Sequence, residues 1–324
     1  MKGNIIFVLF IVLFVAALPF FLLPGTKNVP QAQETEASAQ PAESPEEPQV
    51  SFDDGLVLRV ETADGVEEMT LHTYLTGVVL AEMPTDFAPE ALKAQAVASR
   101  TYALRKIATK KHEDADVCGS FSCCQAWTPI GEYEGTGALE AAENAVAQTD
   151  GLVVTYEGEL IDATFFSCAA GMTEAAAAVW GSEVPYLQAV ESPEHEEKYE
   201  ETVTFGAAEF AEKLHELHPE SELTGAPDGW FGEERRTPGG GLESIRIGDT
   251  EFRGTELRTA LSLRSTVMFF SPDDDCVTVR TSGYGHRVGL SQYGADVLAE
   301  EGADFEEILL HYYQGTAIQH LYLA

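Results

Sequence analysis

Two helical segments meeting at a proline limit what this chain can fold into more than any other feature. The first carries Leu75, Val78 and Val79 at helical spacing. Pro84 closes it, because proline disfavours helical geometry at the residue before it. Asp86 is placed to cap a second helix, whose first turn begins near Pro89. Ala91 to Ile107 then reads as an Ala-rich helix, with Leu92, Ala96, Ser99 and Ala103 along one narrow face. Small residues let neighbouring backbone come close, so this helix is expected to be buried. Glu82 sits at the corner and Arg100 lies inside the second helix. Neither fits an ordinary solvated charge if both segments are packed.

The flanking chain divides cleanly. Ile5 to Pro24 is an apolar run of about 20 residues, long enough to span a bilayer. Lys2 before it places the N-terminus in the cytoplasm. A cleaved signal peptide is the alternative, but its apolar region usually runs about 7–15 residues to a small-x-small site. Leu18-Pro-Phe-Phe-Leu-Leu-Pro24 is not such a site. The expectation is therefore a cytoplasmic tip over residues 1–4, a retained anchor over 5–24 and an extracytoplasmic remainder. Residues 25–49 are rich in Pro, Glu, Gln, Ala and Ser and read as a disordered tether. Residues 50–324 carry the folded region.

Within that region, Gly55–Glu61 and Val66–Leu71 read as a hairpin about Ala63-Asp-Gly65. Ala138–Gln148 reads as a helix, and Gly151–Tyr156 and Leu160–Phe166 as strands. Pro193–Glu201 reads as a charged loop and Phe205–His218 as an amphipathic helix. An irregular insertion is expected near 219–241. Ser244–Ile247 and Thr250–Arg253 read as a second hairpin, followed by a short helix over Gly254–Ser262. Thr266–Phe270 and Cys276–Thr281 read as strands, and helices over Leu290–Glu301 and Phe305–Tyr312 close the chain. Separate hairpins and helices make this an α+β fold. The formal net charge of −35 argues against binding nucleic acid by phosphate neutralisation. It equally disfavours electrostatic adhesion to anionic polymers or lipid.

His112, Cys118, Cys123 and Cys124 gather thiolates and an imidazole in one short loop, the usual donors for zinc. The spacing H-x5-C-x4-C-C is not a common finger pattern. A short-loop disulfide competes equally, since an extracellular compartment permits one. The vicinal pair Cys123-Cys124 would itself bond only in strained geometry. Cys168 reads as a buried thiol and Cys276 as structural or incidental. Trp180 reads as a core aromatic.

The motif Ala81-Glu-Met-Pro84, followed by Ala94-Gln-Ala-Val-Ala-Ser-Arg-Thr-Tyr102, resembles the stage II sporulation protein D family of bacterial cell-wall lytic transglycosylases. Two further blocks carry the resemblance, Phe165–Glu174 with Val179–Gln188, and Ser282–Ala295. Together they span roughly residues 55–324. The resemblance implies a two-lobed extracytoplasmic region in which Glu82 is the catalytic acid/base. It implies that Arg100, Thr173 and Tyr186 support activity, with His286 at the substrate or supporting its loop; for Arg100, orienting Glu82 or binding the glycan competes equally with a purely structural ion pair. It also implies structural zinc on His112, Cys118, Cys123 and Cys124, Cys123 standing where such members have a second His. Two other departures stand out. Ala169-Ala-Gly171 replaces a Ser-rich, Gly-Gly turn. Arg287 replaces the middle glycine of Gly-His-Gly-Val-Gly, which argues that position 287 does not need positive φ here.

By resemblance, the reaction cleaves peptide-stripped glycan between N-acetylmuramic acid and N-acetylglucosamine, leaving 1,6-anhydro ends. The implied setting is engulfment, in the space between mother cell and forespore, with stage II sporulation proteins P and M as partners. Related domains act instead as amidase enhancers that bind without cutting, and this is the alternative function.

Overall fold

Two separate sets of buried apolar side chains organise this protein, seen in a computed structural model that describes residues 51–194 and 199–323. The first is built by a short helix α1 (Phe52–Gly55), the hairpin β1 (Val57–Thr62) and β2 (Gly65–Thr70), and helices α2 (Leu71–Glu82) and α3 (Pro89–Thr109). It continues through β3 (Val117–Cys118), α4 (Gly137–Gln148), β4 (Leu152–Tyr156), β5 (Glu159–Leu160), β6 (Phe165–Phe166) and α5 (Ala176–Trp180). The chain then builds the second core from β7 (Glu200–Gly206), α6 (Ala207–Leu217), β8 (Phe231–Arg236), β9 (Leu242–Ile247), β10 (Thr250–Arg253), α7 (Gly254–Ala260), β11 (Val267–Pro272) and β12 (Cys276–Ser282). It returns to the first core with β13 (Leu290–Ser291), α8 (Gln292–Glu300), α9 (Phe305–Tyr312) and β14 (Ala317–His320). The architecture is α+β.

Three small sheets belong to the first core, ordered β2-β1-β3, β14-β4-β5 and β13-β6. Two belong to the second, β10-β9-β8 and β11-β12-β7. Helix α3 is the axis of the first core and packs against α2, α4, α8, α9 and β4. Its burial is wider than a single face: Ala94 through Thr101 are all buried. With so many alanines the neighbouring helices can close in from several sides. Helix α2 starts under a Thr70 cap, whose Oγ1 accepts from the Thr73 amide at 3.1 Å. It ends where Met83 turns extended ahead of Pro84. Asp86 does not cap α3. It is exposed, and Asp296 Oδ1 instead accepts the Ala88 amide at 2.7 Å.

Several expectations shift. Residues 219–241 are not wholly irregular, because β8 lies within them and pairs antiparallel with β9 through two register shifts. Its side chains are mostly charged and exposed, so no apolar alternation marks it. The charged loop ends in β7, whose inward residues alternate as Glu201, Val203 and Phe205 opposite β12. Leu160–Phe166 divides into β5 and β6, which join different sheets. Among the described residues no helix is long and apolar enough to cross a membrane. The expected anchor and tether fall outside the described residues.

Candidate functional site

Glu82 is the last residue of α2, so the helix end aims its side chain past the corner rather than along a helix face. Its Oε1 accepts the Ala126 amide at 2.6 Å. Burial pushes its pKa above the ordinary carboxylate value, and the Ala126 hydrogen bond only partly opposes this. Glu82 opens into a cleft of about 680 Å³ and, among the described residues, is the one carboxylate in its lining. Exposed aromatic rings rim the cleft: Phe121 from the Cys-rich loop, Trp180 at the end of α5, and Tyr284 after β12. Trp180 is therefore not a core aromatic, being 47% exposed.

His286 also lines this cleft. Its ring lies 5.4 Å from Trp180 and 5.7 Å from Phe166, centre to centre. Nδ1 accepts the Val288 amide at 3.1 Å, and the ring also bonds to the backbone of Phe165. Burial, with Arg258 nearby, pushes its pKa down to about 4, so the imidazole is neutral near neutral pH. Its polar atoms are spent on backbone, and what the cleft receives is mainly a ring fixed beneath Trp180.

The other expected site residues lie elsewhere. Arg100 is fully buried against Asp53, with Nε 2.8 and 3.0 Å from the two carboxylate oxygens. Its remaining donors reach Leu152 O at 3.1 Å and Val146 O at 3.3 Å. It orients neither Glu82 nor a ligand; it ties α1 to α3, α4 and β4. Thr173 is buried, and its Oγ1 accepts the Val190 amide at 2.9 Å. Tyr186 donates no group to the cleft: its hydroxyl accepts the Asp162 amide at 3.0 Å and its ring lies 5.5 Å from Tyr156. Both hold the loops behind the cleft wall.

His112, Cys118, Cys123 and Cys124 do converge. One ligand atom from each lies within 4.8 Å of all the others. Tetrahedral ligation at about 2.3 Å per thiolate requires sulfurs roughly 3.8 Å apart, so small movements would close this set on a metal ion. His112 Nε2 is 3.2 Å from Cys124 Sγ, while Nδ1 is 3.5 Å from Glu61 Oε2. A carboxylate behind the far nitrogen is the arrangement that orients a ligating imidazole. No cysteine is paired in a disulfide among the described residues. Cys123 and Cys124 also line the Glu82 cleft, so the loop that carries the cluster borders the acid and supplies its Ala126 hydrogen bond.

Position 287 departs from expectation. Arg287 adopts φ of 66° and is fully buried, so the left-handed backbone is retained although the residue is not glycine. Ala170 likewise keeps φ of 62° in the Ala-Ala-Gly turn. Nothing in the local sequence signals the Ala126 amide or Asp53. Phe121, a large apolar residue between Ser120 and Ser122, was a visible sign of an exposed ring.

Comparison with known proteins places the sequence that builds this site in a lineage. A family model described as SpoIID, stage II sporulation protein, matches residues 60–156, the stretch that holds Glu82, Ala126 and the His/Cys cluster. The chain is 36% identical over 299 residues to stage II sporulation protein D of Bacillus subtilis (strain 168), covering 89% of this chain and 85% of that protein. The chain belongs to the stage II sporulation protein D family. A second member, from Bacillus amyloliquefaciens, is 37% identical over 264 residues, 78% of this chain and 75% of that one. Similarity extends to the amidase enhancer of Bacillus subtilis (strain 168), 30% identical over 295 residues, 75% of this chain but 40% of that longer protein.

Proposed function

We propose that this chain is a lytic transglycosylase of peptidoglycan acting in sporulation, with Glu82 as its single acid/base. The observation that carries this is one half-buried carboxylate, with a raised pKa, in a cleft rimmed by exposed aromatic rings. Hydrolytic glycosidases usually flank the bond with two carboxylates. A transglycosylase needs one. Glu82, protonated, gives its proton to the glycosidic oxygen between N-acetylmuramic acid and N-acetylglucosamine. The resulting carboxylate takes the proton from the muramic acid C6 hydroxyl, whose oxygen attacks the anomeric carbon. The product end is a 1,6-anhydro sugar. The Ala126 amide holds Oε1 throughout and steadies the transient anion.

His112, Cys118, Cys123 and Cys124 would hold a structural zinc ion, because four protein donors leave no position for a reacting water. Zinc there would fix the loop that presents Ala126 and Phe121. The substrate class is peptide-stripped glycan, in keeping with a cleft whose lining, among the described residues, contains no Lys or Arg to pair with stem-peptide carboxylates. Residues 5–24 serve as a single membrane anchor, placing the folded region outside the cytoplasm. The partners in engulfment are the amidase and membrane proteins known as stage II sporulation proteins P and M.

The test is mass spectrometry of peptide-free glycan strands incubated with the protein and with Glu82→Gln. Anhydro-muramic ends are expected from the parent, with a loss of about 10²–10⁴-fold in the variant. Reducing ends would mean a hydrolase. No product from folded, metal-loaded protein, with an amidase stimulated equally by both forms, would move the assignment to the enhancer class to which one relative belongs.

A further inference from the structure

The arginine at 287 does more than tolerate a backbone that suits glycine. Its Nε donates to Ala169 O at 2.7 Å and its Nη2 to Met172 O at 2.6 Å. Nη2 also donates to Gly239 O at 2.5 Å, and Nη1 faces Glu174 Oε1 at 3.3 Å. Glu174 is buried beside it, and its Oε1 accepts from Thr237 Oγ1 at 2.6 Å and from the Gly241 amide at 3.1 Å. Ala169, Met172 and Glu174 sit beside the first core, whereas Thr237–Gly241 is the turn joining β8 to β9 in the second.

The turn is shaped for this contact. A Cβ on Gly239 would lie 2.3 Å from Thr173 O, and one on Gly241 would lie 2.4 Å from Glu174 Oε1. Pro238-Gly-Gly-Gly241 is thus a close-approach surface for the Arg287–Glu174 pair, not a slack insertion. The same turn borders a crevice with α5, where Thr237, Pro238 and Leu242 face Ala177, Ala178 and Trp180. Arg287 directly follows His286, over which Trp180 lies. Two cleft-lining residues therefore rest on the seam that this pair closes.

We propose that Arg287 and Glu174 latch the glycine-rich turn of the second core onto the cleft wall, making Arg287 a positioning residue for Trp180 and His286. Its structural half stands alone; its functional half rests on the cleft being the glycan site. The guanidinium reaches four acceptors on two segments, three within residues 169–174 and one in the Thr237–Gly241 turn, and no glycine at 287 could do so.

Hydrogen exchange of full-length Arg287→Gly tests the latch, since glycine suits the backbone while the bridge is lost. Thr237–Gly241 and Ala176–Gly181 should exchange about tenfold faster, with the β1–β2 hairpin unchanged. Gly241→Ala, which disturbs the same seam from the other side, should reproduce this pattern and keeps the test open should Arg287→Gly fold poorly. In a Glu82→Gln background, Arg287→Gly should weaken binding of peptide-free glycan about tenfold, with Arg287→Lys recovering part of it. Unchanged exchange in the turn would overturn the latch. Faster exchange with unchanged glycan affinity would overturn the positioning role. Failure of the Glu82→Gln parent itself to bind glycan would count against the glycan assignment, and the exchange result would still decide the latch.

Discussion

Replacing Arg100 by methionine separates a structural role from a substrate role. In the folded protein the Arg100 and Asp53 side chains have no solvent exposure. Asp53 is pushed up by burial and held down chiefly by Arg100. Removing the guanidinium leaves a buried carboxyl without its counter-charge and takes a donor from the carbonyls of Val146 and Leu152. Breaking such a pair from one side costs about 3–5 kcal/mol. For a folded region of this size that is a fall in Tm of roughly 6–20 °C, at about 2–4 °C per kcal/mol. The loss should grow as pH rises. A carboxyl whose folded pKa is raised gives stability that is present below its unfolded pKa and lost as pH climbs through the folded one. Arg100→Met with Asp53→Asn removes both charges and should recover much of the loss. The assay is thermal unfolding by circular dichroism at two pH values, beside glycan affinity. A Tm within about 2 °C of the parent, less than 1 kcal/mol by the same conversion, together with collapsed glycan binding, would refute the structural assignment.

Glu82→Gln should be at least as stable as the parent at neutral pH, because burial raises the Glu82 pKa and ionising it there opposes folding; a lower Tm would contradict this. By the same sign, glycan cleavage should fall as pH rises through that raised value, and a rate that instead grows with alkalinity would exclude Glu82 as the general acid. Trp180→Ala should weaken glycan binding on the order of tenfold with little change in Tm, measured by titration against peptide-free strands. Gly77→Ala would bring a Cβ within 2.3 Å of Trp127 Nε1 and 2.6 Å of Thr128 O, so thermal melts should show a loss of about 1–3 kcal/mol. Cys123→Ser should lower metal content by elemental analysis and reduce Tm in step with it, and chelation of the parent should do the same.

What the sequence made legible was local. Pro84 and the apolar spacing before it placed the corner, and Asp-Gly placed the first hairpin, because each signal acts within a few residues. Glu82 and the His/Cys cluster were visible for a related reason, being residue types with few bland uses in those surroundings. Arg100 was also singled out, but its partner Asp53 lies 47 residues away in a four-residue helix, and nothing near either residue announces the pairing. Thr173 and Tyr186 likewise spend their hydroxyls on backbone of distant loops. The aromatic rim was missed because Phe121, Trp180 and Tyr284 come from three separate stretches, and burial tendency pulls a tryptophan toward the core on paper. Position 287 shows the limit most sharply. Backbone preference alone says that an arginine avoids positive φ. Preference is a local energy, and here it competes with four acceptors brought in by the fold, one of them 48 residues away in a turn that reads as slack. The substitution becomes intelligible only when the Gly239–Gly241 cradle and the Arg287 side chain are considered as one contact, each explaining the residue type of the other.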